Sequence, residues 1–150
     1  MRRTSRFLAA LAVGGALIAA PMASAQSIQG LSNYDGSVKC EFGNLQGTYI
    51  RCHSDGARAT RPDCNPPQQK APRFQYFRGN VFTSCDNQGF QATNFAPMGK
   101  GQARQIGEVI VVSDMQGGLH FASPQGYKGY IGKKAVSGPE GMGQISSRAF

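Results

Sequence analysis

The residues of this chain that could support catalysis are few: two histidines, eight acids and four cysteines in 150 residues. Nucleophilic hydrolysis needs a serine or cysteine beside a histidine that a third group orients. His53 directly follows Cys52, and His120 sits in an alternating apolar stretch where it points away from Leu119 and Phe121. These positions predict a solvated residue at a hairpin end for His53 and an exposed strand histidine for His120. If the hairpins that carry them paired, the two could form a metal or acid–base site. The acids Asp35, Glu41, Asp55, Asp63, Asp86, Glu108, Asp114 and Glu140 fall mostly in turn-forming contexts, and no spacing pairs them for glycoside hydrolysis. There is no Gly-x-Ser-x-Gly elbow, and Met98-Gly99-Lys100-Gly101 has no helical pattern after it to make a phosphate loop. No catalytic residue, metal ligand or cofactor is assigned.

The basic residues are more suggestive. Arg58, Arg61, Lys70, Arg73 and Arg78 surround a proline-rich stretch and interleave with Phe74, Tyr76 and Phe77. Lys128, Lys133 and Lys134 form a second group near Tyr127 and Tyr130. Basic residues among aromatics suit anion binding by charge and stacking. Solubilising surface charge is the plain alternative.

The N-terminus directs which anion that would be. Arg2, Arg3 and Arg6 precede an apolar stretch at residues 7–20, Pro21 breaks it, and Ala23-Ser24-Ala25 gives a small-x-small cleavage site. Fourteen apolar residues reach about 21 Å as a helix, short of a hydrocarbon core near 30 Å. Residues 1–25 are therefore expected to be a signal peptide cut after Ala25, and residues 26–150 a single secreted domain. Three of the 16 basic residues leave with the leader, so 13 Lys+Arg face 8 Asp+Glu and the net charge falls from +8 to +5. An exported basic protein meets anionic envelope polymers or lipid headgroups before nucleic acid. No transmembrane segment is expected after processing.

Cys40, Cys52, Cys64 and Cys85 all remain in the mature chain, an even number in an oxidising compartment. With no Cys-x-x-Cys and no histidine at zinc-finger spacing, disulfides are the better reading than zinc. Three connectivities exist. Hairpin geometry between neighbours favours Cys40 with Cys52 and Cys64 with Cys85.

The elements that carry these residues read as strands. Ser37-Val38-Lys39-Cys40-Glu41-Phe42 alternates, with Val38, Cys40 and Phe42 on one face, and Tyr49-Ile50-Arg51-Cys52 returns after turn residues. Residues 55–73 form a long connection; three prolines within residues 61–67 preclude regular helix or central strand there. Residues 74–78 and 81–85 are short aromatic strands around Gly79-Asn80, with Phe90 and Phe95 beyond. Val109-Ile110-Val111-Val112 predicts a strand buried on both faces, and Leu119-His120-Phe121-Ala122 is its return. Residues 26–33 read as a polar lead-in, and residues 138–150 as a weakly patterned end that frays. The fold class is all-β: a small antiparallel sandwich or barrel with two hairpins, stapled by disulfides.

The two hairpins echo each other. Gly36-Ser37-Val38-Lys39-Cys40 aligns with Gly107-Glu108-Val109-Ile110-Val111 at an offset of 71, and the return strands align at an offset of 69. Cys40 then falls on Val111 and Cys52 on Phe121. The same residues carry a resemblance. Ser32 and Asn33 before Gly36-Ser37-Val38-Lys39-Cys40, then Arg51-Cys52, Pro62-Asp63-Cys64, Cys85 and the last hairpin resemble a family of small secreted actinobacterial proteins of unknown function. That family has two further cysteines where this chain has Val111 and Phe121, which implies that those positions touch. The resemblance covers roughly residues 32–132 and implies no catalytic residues.

Three functions follow as expectations. The first is a non-enzymatic exported protein bound to the cell envelope through a basic, aromatic-containing surface. The second is a small hydrolase using His53 or His120 with a carboxylate. The third is an inhibitor-like module that presents the loop at residues 62–67 to a protein partner.

Overall fold

The computed structural model describes residues 27–65 and 70–140. The expected leader at residues 1–25, Pro66 and Pro67 of the proline-rich loop, and residues 141–150 of the end expected to fray lie outside the described residues. Among the described residues eleven strands form two sheets. Strands β1 (Gln29–Ser32), β2 (Lys39–Asn44), β3 (Thr48–His53), β4 (Ala71–Phe77) and β5 (Asn80–Asp86) run as an antiparallel meander. The short β6 (Phe95–Pro97) adds to the β1 edge in parallel. The second sheet is another antiparallel meander: β7 (Ala103–Ile106), β8 (Val109–Ser113), β9 (Leu119–Ser123), β10 (Gly126–Ile131) and β11 (Val136–Ser137). Among the described residues no helix is long and apolar enough to cross a membrane.

Period-two alternation explains the core. In the first sheet Leu31, Cys40, Cys52 and Phe74 stand in one cross-strand row, and Phe42, Ile50 and Tyr76 in the next. All are buried. The second sheet answers with Val109, Val111, Leu119, Phe121 and Ile131, and the rings of Phe74 and Phe121 stack across the interface at 4.3 Å. The layers are also joined by a carboxylate: Glu108, in the β7–β8 turn, accepts hydrogen bonds from Thr48 and, at 2.7 Å, from Tyr76.

Both favoured disulfides are present, Cys40–Cys52 and Cys64–Cys85. Cys40 and Cys52 are direct cross-strand partners, and Val111 and Phe121 are direct partners in the second sheet. The hairpin echo is therefore structural: the same pair of positions is closed once by a cystine and once by apolar packing.

Several expectations change. Residues 29–32 are not a lead-in but β1, whose Leu31 and Ser32 are buried between β2 and β6. The β8 run is buried on both faces only in part: on the outer face Val112, paired with His120, is buried, but Ile110 is 42% exposed. The tight turn between β4 and β5 is Arg78-Gly79 rather than Gly79-Asn80, with both residues at positive φ as a two-residue hairpin loop demands. The long connection holds a 3-10 turn at Asp55–Ala59 before reaching the buried Cys64. Gly30 allows β6 to approach: a Cβ there would lie 2.1 Å from the Asn94 carbonyl oxygen.

Candidate functional site

The outward face of the first sheet carries Lys39 and Glu41 on β2, Arg51 and His53 on β3, Arg73 on β4, and Ser84 and Asp86 on β5. They alternate with the core positions just described, so their polarity reads as a solvated face. The chain does otherwise. Between β5 and β6, residues 87–94 cross this face as a strap, leaving Glu41 1% and Asp86 6% exposed. Buried carboxylates persist only when paired and hydrogen-bonded, and both are. Glu41 faces Arg51 at 2.8 Å and accepts from Tyr49 Oη at 3.0 Å and from the strap amides of Gln91 at 2.7 Å and Ala92 at 3.3 Å. Arg51 also donates to the Gly89 carbonyl at 2.6 Å, and its guanidinium lies 5.5 Å from the Phe90 ring. Burial, aided by the Glu41 contact, pushes the Tyr49 hydroxyl up to about 12.

Asp86 is the second anchor. Its Oδ2 accepts from His53 Nε2 at 2.9 Å, Arg51 Nη1 at 3.2 Å and Arg73 Nη1 at 3.3 Å, while Oδ1 accepts the Gln88 amide at 2.9 Å. Burial alone would raise its pKa, but the Gln88 amide, His53 and Arg73 outweigh burial and hold it below the ordinary value. His53 moves down as well: burial first, joined by the charges of Arg51 and Arg73, outweighs the support of Asp86. His53 is thus a half-buried neutral imidazole, not the solvated residue the sequence suggested. With Nε2–H donated to Asp86, its remaining polar atom is the acceptor Nδ1.

Above His53 the strap and the β1–β2 turn enclose an open cleft of about 440 Å³. Phe90 and Phe95 wall it edge to face at 5.1 Å, and Phe90 lies 4.5 Å from the His53 ring. Lys39 Nζ sits 5.6 Å from the Phe95 ring, and Asp55 and Ser37 complete the rim. Ser37 is no nucleophile for His53: its hydroxyl donates to Asp35 at 2.7 Å and accepts from Asn33 at 2.9 Å.

His120 is also misjudged by sequence. It is 3% exposed, with Nε2 2.9 Å from Asp114 Oδ2 and Nδ1 3.1 Å from Tyr127 Oη. A register shift between Tyr127 and Gly129 explains this. The extra residue places Tyr127 and Tyr130, three apart, on the same outer side, where they cover the imidazole. His53 and His120 therefore stand on the outer faces of different sheets, each with its own carboxylate, and form no joint site. Among the described residues no serine, threonine or cysteine is hydrogen-bonded to either ring.

Comparison with protein-family models, curated proteins and solved structures gives no match.

The predicted basic groups are distributed differently from their order in the chain. Arg73 belongs to the buried network. Arg61 is bidentate to Asp63 at 2.9 and 2.5 Å and reaches the Thr83 carbonyl at 2.6 Å. Arg58 pairs with Asp55 at 3.2 Å and donates to the Cys64 carbonyl. Arg78 donates to the Gln46 carbonyl at 2.7 Å and lies over Phe77. Lys70 and Lys134 are exposed, and Lys128 is half-buried. Lys133 pairs with Asp35, whose carboxyl it holds well below the usual range. The fold adds a neighbour the sequence did not suggest: Lys100 Nζ is 4.5 Å and Lys133 Nζ 5.6 Å from the ring of Tyr34. Tyr34 belongs to the same β1–β2 turn whose Gly36 and Ser37 line the cleft.

Proposed function

We propose that this chain is an exported, non-enzymatic binding protein that engages anionic polymer of the cell envelope through a basic, aromatic surface. The observation that carries this reading is the β1–β2 turn. One side of it presents Tyr34 with Lys100 and Lys133 near its ring, Lys133 also paired with Asp35, and the other borders a cleft with Lys39 beside Phe95. Cations already seated on aromatic rings lose little freedom when an anion arrives. The N-terminal leader pattern, the two disulfides and the positive mature charge fit an extracytoplasmic protein of this kind.

The test is retention of the mature chain on immobilised teichoic acid. Binding should weaken steeply between about 50 mM and about 500 mM salt, and the combined K100Q and K133Q substitutions should weaken it at least tenfold. Retention that is absent, or unchanged by salt and by these substitutions, would overturn the proposal.

A further inference from the structure

We infer that the cleft over His53 is a subsite for one uncharged pyranose ring of a glycan. The inference rests on the envelope-binding reading and specifies which part of such a polymer the cleft accepts. Its volume of about 440 Å³ falls in the range typical of small-ligand sites, about 300–1,000 Å³. Two phenyl rings wall it, and a phenyl face, negative at its centre, suits the C–H face of a sugar ring. The polar groups on the rim are mixed: Lys39 only donates, Asp55 only accepts, and His53 keeps Nδ1 as an acceptor because Asp86 holds its other nitrogen. Sugar hydroxyls both donate and accept, so they can satisfy all three. A phosphate or carboxylate in the same place would meet the Asp55 carboxylate at the rim, whose charge Arg58 at 3.2 Å offsets only in part.

The wall is also preorganised. Phe90 is fixed between the His53 ring and the Arg51 guanidinium, and the neighbouring Gly89 carbonyl is held by Arg51. A ligand then need not order the strap. The charge of the polymer would be met outside the cleft, at Tyr34, Lys100 and Lys133.

The experiment is a nuclear magnetic resonance titration of the mature chain with two probes, tetra-N-acetylchitotetraose and linear polyphosphate. The saccharide should shift the amide signals of His53, Phe90 and Phe95 with little dependence on salt. Phe95→Leu, which removes the ring and keeps its bulk, should weaken that binding at least fivefold. Lys39→Gln, a change on the rim that leaves the core intact, should weaken it measurably if the leucine variant fails to fold. Polyphosphate should instead shift Tyr34, Lys100 and Lys133, and lose its effect at high salt. A saccharide that leaves the cleft signals unmoved, or polyphosphate that moves them, overturns the inference. If polyphosphate still binds at Tyr34 in the first case, the envelope-binding proposal survives alone. If the saccharide binds and neither polyphosphate nor teichoic acid does, the cleft assignment stands and the proposal of anionic-polymer binding falls.

Discussion

Replacing Arg51 with methionine should be among the most damaging single changes outside the apolar core. Arg51 contacts the carboxylates of Glu41 at 2.8 Å and Asp86 at 3.2 Å, and holds the strap through the Gly89 carbonyl at 2.6 Å. Methionine would replace the aliphatic stem but none of these contacts. Asp86 keeps His53 and Arg73 as partners. Glu41 loses its only cationic partner among the described residues and retains the Tyr49 hydroxyl and two strap amides. Removing one member of a buried ion pair costs about 3–5 kcal/mol, because the remaining charge is left uncompensated. For a domain of this size that corresponds to a fall in melting temperature of roughly 10–20 °C. Urea denaturation followed by circular dichroism would measure it, since the chain has no tryptophan. The double variant Arg51→Met/Glu41→Gln removes the stranded charge and should recover about 1 kcal/mol or more. A loss below about 1 kcal/mol, or no recovery in the double variant, would refute the claim that the strap buries a working ion network.

Two other outcomes are expected. Stability should fall on acidification. The folded pKa of His53 lies below its unfolded value of 6.5, so its contribution is complete above that pH and is lost as pH drops toward the folded value. Asp86 adds a second loss below 3.8. His53→Gln, which can still donate to Asp86, should flatten the first limb in a series of urea midpoints from pH 7 to pH 4, and an unchanged slope would contradict the assignment. For the disulfides, loop closure alone gives about 3 kcal/mol for each and slightly favours Cys64–Cys85, with a separation of 21 against 12. Cys40 and Cys52 are both fully buried in the core, so Cys40→Ala/Cys52→Ala should nonetheless cost more than Cys64→Ala/Cys85→Ala. The reverse order of urea midpoints would rule this out.

What was legible in the sequence is what depends on local period. Val38, Cys40 and Phe42 alternate, their return strand follows within one turn, and so the hairpin and its cystine could be read directly. The Val111–Phe121 contact followed from the echo of that hairpin. β1 was missed because it contributes only Leu31 as an apolar core residue and gains its place by pairing with β2 and β6. The site was missed for a different reason. Glu41, Arg51, His53 and Asp86 occupy the polar phase of their strands, and only a distant segment, residues 87–94, turns that phase into an interior. His120 was misplaced because one extra residue in β10 breaks the alternation and brings two tyrosines onto one side. Charged residues brought together by a crossing loop leave no periodic trace.

The two meanders have the same strand order, with β1 to β5 in one matched by β7 to β11 in the other. Each has one apolar face that only another sheet can cover. Each half is therefore a protomer whose counterpart is supplied by the same polypeptide. A chain of half this length would need a second copy of itself to close its core, at a concentration set by the cell. Joining the halves makes that encounter intramolecular and leaves the two outer faces free to diverge. Here the two faces differ: one carries a strap and a cleft, while the other covers its histidine with tyrosines.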